Sequence, residues 1–203
     1  MKCSGVLEQL EQEFPIQRAY NSYTVRDYFN LPEGSPIQLI EGELVMSPSP
    51  KFVHQVISRN LSFLIYSHVK EHNLGIVLYS PIDVYLDVKN AYQPDIVFVS
   101  NKNKDILKER GLDGSPDMAI EILSPKTYDY DTEIKKKAYE RNGVMEYLTV
   151  NPETKTINVF RRKSKNSECF DEKTSIKAIN ARKKLYLKTI DLEIDLKEIF
   201  TEY

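Results

Sequence analysis

Glu121 stands among Ala119, Ile120, Ile122 and Leu123, an apolar run that reads as a strand covered on both faces. A carboxylate in such a place costs several kcal/mol unless a cation or a proton meets it. Two fates are open to it: a salt bridge to a buried Arg or Lys, or service as a ligand. Asp95 follows Pro94 and opens Ile96-Val97-Phe98-Val99, a second continuous apolar run. If the two strands are neighbours, the two carboxylates stand about 5 Å apart, and paired hard oxygens suit magnesium or manganese. A turn-forming Asp after proline is the plainer reading of that position. Asp117, in a second Pro-Asp pair, competes as a partner, but along one strand it lies roughly 13 Å from Glu121 and cannot share an ion with it.

Lys135-Lys136-Lys137 is the densest basic run near these acids. Helical geometry points the three in different directions, as on an ordinary solvated face. Lys135 differs in place: one turn before Tyr139 and near the helix start, it can lean toward the end of the Glu121 strand. An ammonium there orients water or stabilises charge developing on a phosphorane. Lys126, in the loop beyond Glu121, is the next candidate. His54, in the first turn of a long helix near Glu43, suits the positioning of a phosphate or water, or equally a cap. His68 and His72 form an i,i+4 pair that would hold zinc only if a third ligand approached. The chain has no Gly-rich phosphate loop and no G-x-S-x-G elbow, so nucleotide-driven and α/β-hydrolase chemistry lack a carrier.

These residues need a scaffold, and the pattern supplies one. Thr24 reads as a helix cap. Residues 37–46 read as a hairpin turning at Glu41-Gly42, so that Glu43 begins its second strand. Ser49-Pro50 reads as a helix start, followed by Val53, Val56, Ile57, Leu61, Leu64 and Ile65 at helical spacing and a stop near Gly75. Strands are expected over 82–86, 96–99 and 118–123, and a short helix over 104–110 closed by Gly111. A helix over 131–142 ends at Gly143 and precedes a hairpin of 146–150 and 156–161 across Asn151-Pro152. Residues 191–200 read as a peripheral strand or short helix. The order predicts one α/β or α+β domain over 24–203, with 1–23 as an adapting N-terminal segment.

Composition bounds the function. With 203 residues, 41% of them hydrophobic, the chain can bury one sizeable core. Twenty-eight Lys plus Arg against 30 Asp plus Glu leave a formal charge of −2, so any nucleic-acid site must be a local basic patch. Cys3 and Cys169 match no metal-ligand spacing and suit a reducing cytoplasm. Neither a signal peptide nor an apolar run of about 18 residues is present, so a cytoplasmic protein without membrane contact is expected.

Over residues 24–200 the chain resembles the Uma-type, restriction-endonuclease-like proteins of the PD-(D/E)XK nuclease superfamily. The carriers are Leu39-Ile40-Glu41-Gly42-Glu43-Leu44-Val45, Ser49-Pro50 with His54-Gln55, Gln93-Pro94-Asp95 with the strand to Ser100, and Pro116-Asp117 through Glu121 to Pro125. Asp131, Lys135, Tyr139, Gly143-Val144 and Glu146-Tyr147 continue it in order. The resemblance implies a central mixed sheet flanked by helices. It also implies Asp95, Glu121 and the Ile122 carbonyl as ligands of Mg2+ or Mn2+, Glu43 as a further acid of the site, and DNA as substrate. Leu123 stands two residues past Glu121, where the superfamily has its lysine, so that role passes to Lys135 or Lys126. Gln38 stands where the family often has Glu. A homodimer is expected for cutting both strands of a duplex. The competing expectations are a DNA-binding or assembly module that kept the fold without the chemistry, and a zinc hydrolase using His68 and His72.

Overall fold

The computed structural model describes residues 22–201 apart from 33, 48 and 179–182. The expected adapting segment therefore lies outside the described residues except for its last two positions. The centre is a six-stranded mixed sheet in the order β12-β11-β10-β9-β6-β3. Its strands are β3 (Gly75–Tyr79), β6 (Ile96–Ser100), β9 (Met118–Ile122), β10 (Glu146–Asn151), β11 (Thr156–Arg161) and β12 (Glu172–Lys177). All neighbours are antiparallel except β9 and β10. The runs around Asp95 and Glu121 thus become adjacent interior strands, as their unbroken apolar character requires of strands covered on both faces.

One face of this sheet packs on the long helix α2 (Phe52–Glu71) through Ile57, Leu61, Ile65 and Val69. Helix α4 (Leu196–Phe200) and the small β13–β14 pair, Lys184–Leu187 with Leu192–Asp195, close the same layer, so residues 191–200 form both the strand and the helix. The other face packs on a second six-stranded sheet, in the order β2-β1-β5-β4-β8-β7, and on helix α3 (Lys136–Arg141). The second sheet comprises β1 (Ile37–Ile40), β2 (Glu43–Met46), β4 (Val84–Asp87), β5 (Asn90–Tyr92), β7 (Leu107–Lys108) and β8 (Gly111–Asp113). Its outer face meets helix α1 (Val25–Tyr28), where Asp27 Oδ2 reaches back to the Thr24 amide at 2.9 Å. The architecture is mixed α+β, sheets with flanking helices.

Three local expectations are corrected. The helix expected over 104–110 is a 3-10 helix (Asn101–Ile106) followed by the β7–β8 hairpin. The residue types favour a helix, but β8 is drafted into the second sheet beside β4, and Leu112 donates its amide to the Asp83 carbonyl at 2.8 Å. The long helix starts at Phe52 with Lys51 as its cap, two residues past the expected Ser49 cap and Pro50 start, and no side chain caps it. The chain from Tyr130 to Lys135 is a π-helical turn that passes into α3.

Strand β3, unforeseen because its Gly75 reads as a helix stop, pairs Gly75 with Ser100 of β6. A Cβ at Gly75 would lie 2.1 Å from the Val99 carbonyl oxygen and 2.8 Å from Ser100 Cα, both backbone atoms that cannot swing away. Gly75→Ala is therefore expected to lower unfolding free energy by about 1–3 kcal/mol through overpacking. Urea denaturation checks this, and an unchanged midpoint would contradict the close β3–β6 approach.

Candidate active site

Ile96 of β6 lies opposite Ile120 of β9, so the same register carries Asp95 across from Glu121 on one face of the sheet. β6 begins at Ile96 whereas β9 continues to Ile122, which leaves the Ile122 peptide without a β6 partner. Its N–H donates instead to Asp95 Oδ2 at 2.6 Å. The carboxylate that opens one strand thus caps the end of its neighbour. His54, from the first turn of α2, brings Nε2 to 3.3 Å from the same Asp95 oxygen and also bonds the Ile122 backbone. His54 Nδ1 is buried without a hydrogen-bond partner.

Behind this edge, Glu121 is 3% exposed and Lys135 2%. Lys135 Nζ donates to Glu121 Oε1 at 3.0 Å and stands 2.9 Å from Asp131 Oδ1, one helical turn earlier. The latter contact is a close i,i+4 ion pair buried at both ends. Tyr139 completes the group, donating its hydroxyl to Glu121 Oε1 at 3.3 Å. The π-helical turn carries both Asp131 and Lys135 on its inner side, and Tyr147 of β10 fixes it by donating to the Asp131 carbonyl at 2.7 Å.

Both fates open to Glu121 are therefore visible in one place: it is salt-bridged to a buried Lys, and it lies beside a second acid. Three carboxyl groups, Asp95, Glu121 and Asp131, influence one another around a single buried ammonium, so acids outnumber the cation. Burial, with Asp131 and Asp95 adding to it, outweighs the attraction of Lys135 and pushes Glu121 up to about 8. Burial alone would neutralise Lys135, but Asp131 and Glu121 overcome it and hold the lysine charged. For His54, burial opposes the proton, and the hydrogen bond and charge of Asp95 more than offset that, so it titrates above its ordinary value.

Among the described residues, no three His, Cys, Asp or Glu side chains converge into a ready metal cluster. The donors on hand are two carboxylates, a strand-end carbonyl and an imidazole. Hard oxygens that outnumber the one ammonium fit a divalent cation, and His54 Nδ1 is a buried nitrogen beside them that no protein group satisfies.

The site opens into a cleft of about 1600 Å³ whose lining includes His54, Asp95, Glu121, Lys126, Asp131 and Lys135. Glu43 does not line it. It shares a sheet face with Gln38 but sits across from Ile40 beside the hairpin turn, on the stretch where Arg141 bridges Glu41 and Asp87. The hairpin residue that does reach the cleft is Gln38, whose Oε1 accepts the Gln93 amide at 2.9 Å. Glu43 is two residues past the point where the hairpin meets the site, a distinction that strand alternation alone cannot make. Asp131 entered the sequence reading as a helix-start residue and as part of the family resemblance without a role, and its i,i+4 spacing to Lys135 was the available signal for one. Asp117 accepts the Ser100 amide at 2.7 Å and organises that turn, outside the site. His68 and His72 have ring nitrogens against the Ile190 and His68 carbonyls and do not line the cleft.

The family model described as Uma2, "Putative restriction endonuclease", matches residues 25–181. The chain belongs to this family. A crystal structure titled as a "putative nuclease belonging to DUF820" from Anabaena variabilis is similar in fold. It has a TM-score of 0.72 at 20% sequence identity, over 87% of this chain and 97% of that one. No curated protein matches. The Uma2 fold therefore supplies the mixed sheet and flanking helices on which the acid pair stands. No helix among the described residues is long and apolar enough to cross a membrane.

The excess of acids has a measurable consequence. Glu121 binds its proton more tightly in the folded chain than unfolded, so in metal-free protein its contribution to stability is full below about pH 4.5 and is lost as pH rises to about 8. His54, also raised, adds to the decline above its ordinary value of 6.5. Thermal melts in chelator across this range should show the fall, and Glu121→Gln should leave only the His54 part. A stability flat in pH would contradict the buried charge arrangement.

Proposed function

We propose that this Uma2 protein is a divalent-cation-dependent endodeoxyribonuclease of the PD-(D/E)XK type, hydrolysing phosphodiester bonds in the cleft. The observation that carries the reading is Asp95 in register with Glu121 at an open strand end, with the charged Lys135 held against Glu121. Asp95, Glu121 and the Ile122 carbonyl are the groups that would hold Mg2+ or Mn2+, with His54 adjoining them. A bound cation would polarise the scissile phosphate and acidify a water.

The chain's own residues supply orientation and charge. Lys135, fixed between Asp131 and Glu121, presents an ammonium whose position costs no reorganisation as negative charge builds on the phosphoryl oxygens. His54 Nε2, at hydrogen-bond reach of Asp95, carries the proton of that contact and so orients the carboxylate beside the attacking water. Water oxygen bonds to phosphorus and gives its proton to solvent, one ester P–O bond breaks, and the departing oxygen takes a proton from solvent water. Tyr139 keeps Glu121 Oε1 engaged and so fixes the direction of its other oxygen. The lysine missing beside Glu121 in sequence, the motive for a noncatalytic module, has its counterpart in Lys135, which reaches the same carboxylate from the helix.

Cleavage of labelled DNA should require Mg2+ or Mn2+ and stop with chelator. Lys135→Met should lower its rate roughly a hundredfold or more, the cost of one preorganised donor. Lys136→Ala and Lys137→Ala should cut normally, because Lys136 lies over the Phe160 ring and Lys137 is exposed. Circular dichroism verifies that the Lys135 variant folds. Equal modest losses in all three would reduce Lys135 to a structural charge, and DNA bound but never cut would favour the noncatalytic module.

A further inference from the structure

Four aromatic side chains stand exposed along the cleft: Phe63 (66%) and Tyr66 (49%) on α2, Tyr79 (65%) at the end of β3, and Tyr128 (47%) in the turn after β9. They bracket the acid pair. Tyr79 lies opposite Ile96, the residue after Asp95, and the next residue, Ser80, donates its amide to the Asp95 carbonyl at 3.0 Å. Tyr128 stands between Glu121 and the turn that carries Lys135. Large apolar rings in water are unfavourable unless something covers them, and these open onto the same cleft as Asp95 and Glu121.

Charge in the cleft is nearly even. The exposed cations on its lining are Lys51, Arg59 and Lys126, set against the exposed acids Asp129 and Glu153. Duplex DNA is held chiefly through many phosphate contacts by Lys and Arg, with its bases stacked out of reach of aromatic rings. Single strands are held differently: a few cations follow the backbone while unpaired bases stack on aromatic faces. Rings outnumbering cations beside the acid pair match the second pattern.

Resting on the nuclease reading above, we propose that the cleft selects unpaired DNA, with bases stacking on Tyr66, Tyr79 and Tyr128 while the backbone crosses Asp95 and Glu121. A single strand also requires no two-fold partner, since one cutting centre severs it alone.

Fluorescence anisotropy of the full chain, with calcium replacing magnesium, can compare a labelled 20-nucleotide single strand with its blunt duplex, and gels with Mg2+ or Mn2+ then read cleavage of both. The single strand should bind at least tenfold more tightly, and Tyr66→Ala and Tyr79→Ala should each weaken it roughly tenfold, the scale of one stacked base. Tyr66→Phe and Tyr79→Phe should bind as the parent does, because stacking needs the ring and not the hydroxyl. Duplex bound and cut as well as single strand, or Ala variants that bind like the parent, would overturn the inference while leaving the nuclease reading intact. Aromatic-dependent single-strand binding without cleavage would support the inference and count against the nuclease. Light scattering covers the other occupant: a dimer that dissociates in the Ala variants, with no DNA bound, would assign the rings to a subunit interface and overturn the inference.

Discussion

The buried contact of Lys135 with Glu121 and Asp131 is the constraint around which this molecule is arranged. Three ionisable groups almost out of water are tolerable only when each faces its counterpart, because desolvating an isolated charge costs several kcal/mol. The counterparts come from a strand at the centre of the sheet and a helical turn packed on its face, elements brought together only by the finished core. The apolar layer of Tyr92, Tyr139, Tyr147 and Val144 excludes water and also gives the ion cluster its electrostatic strength. Replacing it with hydrocarbon would be an easy route to stability, so retaining an incompletely neutralised cluster points to use.

The second constraint is the staggered end of the sheet. Had β6 and β9 ended level, the Ile122 peptide would bond across the ladder and Asp95 would be an ordinary turn residue. Because β6 starts late, Asp95 must satisfy the Ile122 amide, and its carboxylate is thereby aimed at the end of the Glu121 strand. His54 enters from the opposite layer, at the start of α2, so the centre is built where three elements end. That is where main-chain donors and acceptors are left over, and so where a phosphate or cation finds partners without breaking secondary structure.

The interior strands and the long helix were legible because their periodicity and unbroken apolar runs are local signals, and a charge inside such a run identifies itself. That is how Glu121 stood out before its strand was placed, whereas Asp95, which only opens such a run, and Lys135, one of three adjacent lysines, drew attention by strand order, helix position and the family resemblance. Gln38, by contrast, gave no sign that it rather than Glu43 reaches the cleft, since both occupy the same face of one hairpin and only the docking of the second sheet separates them. The 107–113 hairpin was hidden by helix-favouring residues, overruled when β8 found a parallel partner in β4. β12 is polar at all but one position and largely exposed, and β13 and β14 are only four residues each, so they carry little apolar signal.

A lysine supplied by a helix behaves differently from one supplied by the acid's own strand. On the strand, its distance from the acid is fixed by backbone geometry. Here it depends on the π-helical turn, whose wider winding places Asp131 and Lys135 together beneath the sheet and whose Asp131 carbonyl is taken by the Tyr147 hydroxyl. Tyr139, one turn after Lys135, bonds the same Glu121 oxygen, so helix and strand are tied at two points. The acid-to-lysine spacing that another arrangement would obtain from covalent neighbourhood is obtained here from core packing. The geometry of Lys135 therefore depends on Tyr139 and Tyr147, residues that never touch the cleft, and loosening the core would be felt at the site before the fold itself gave way.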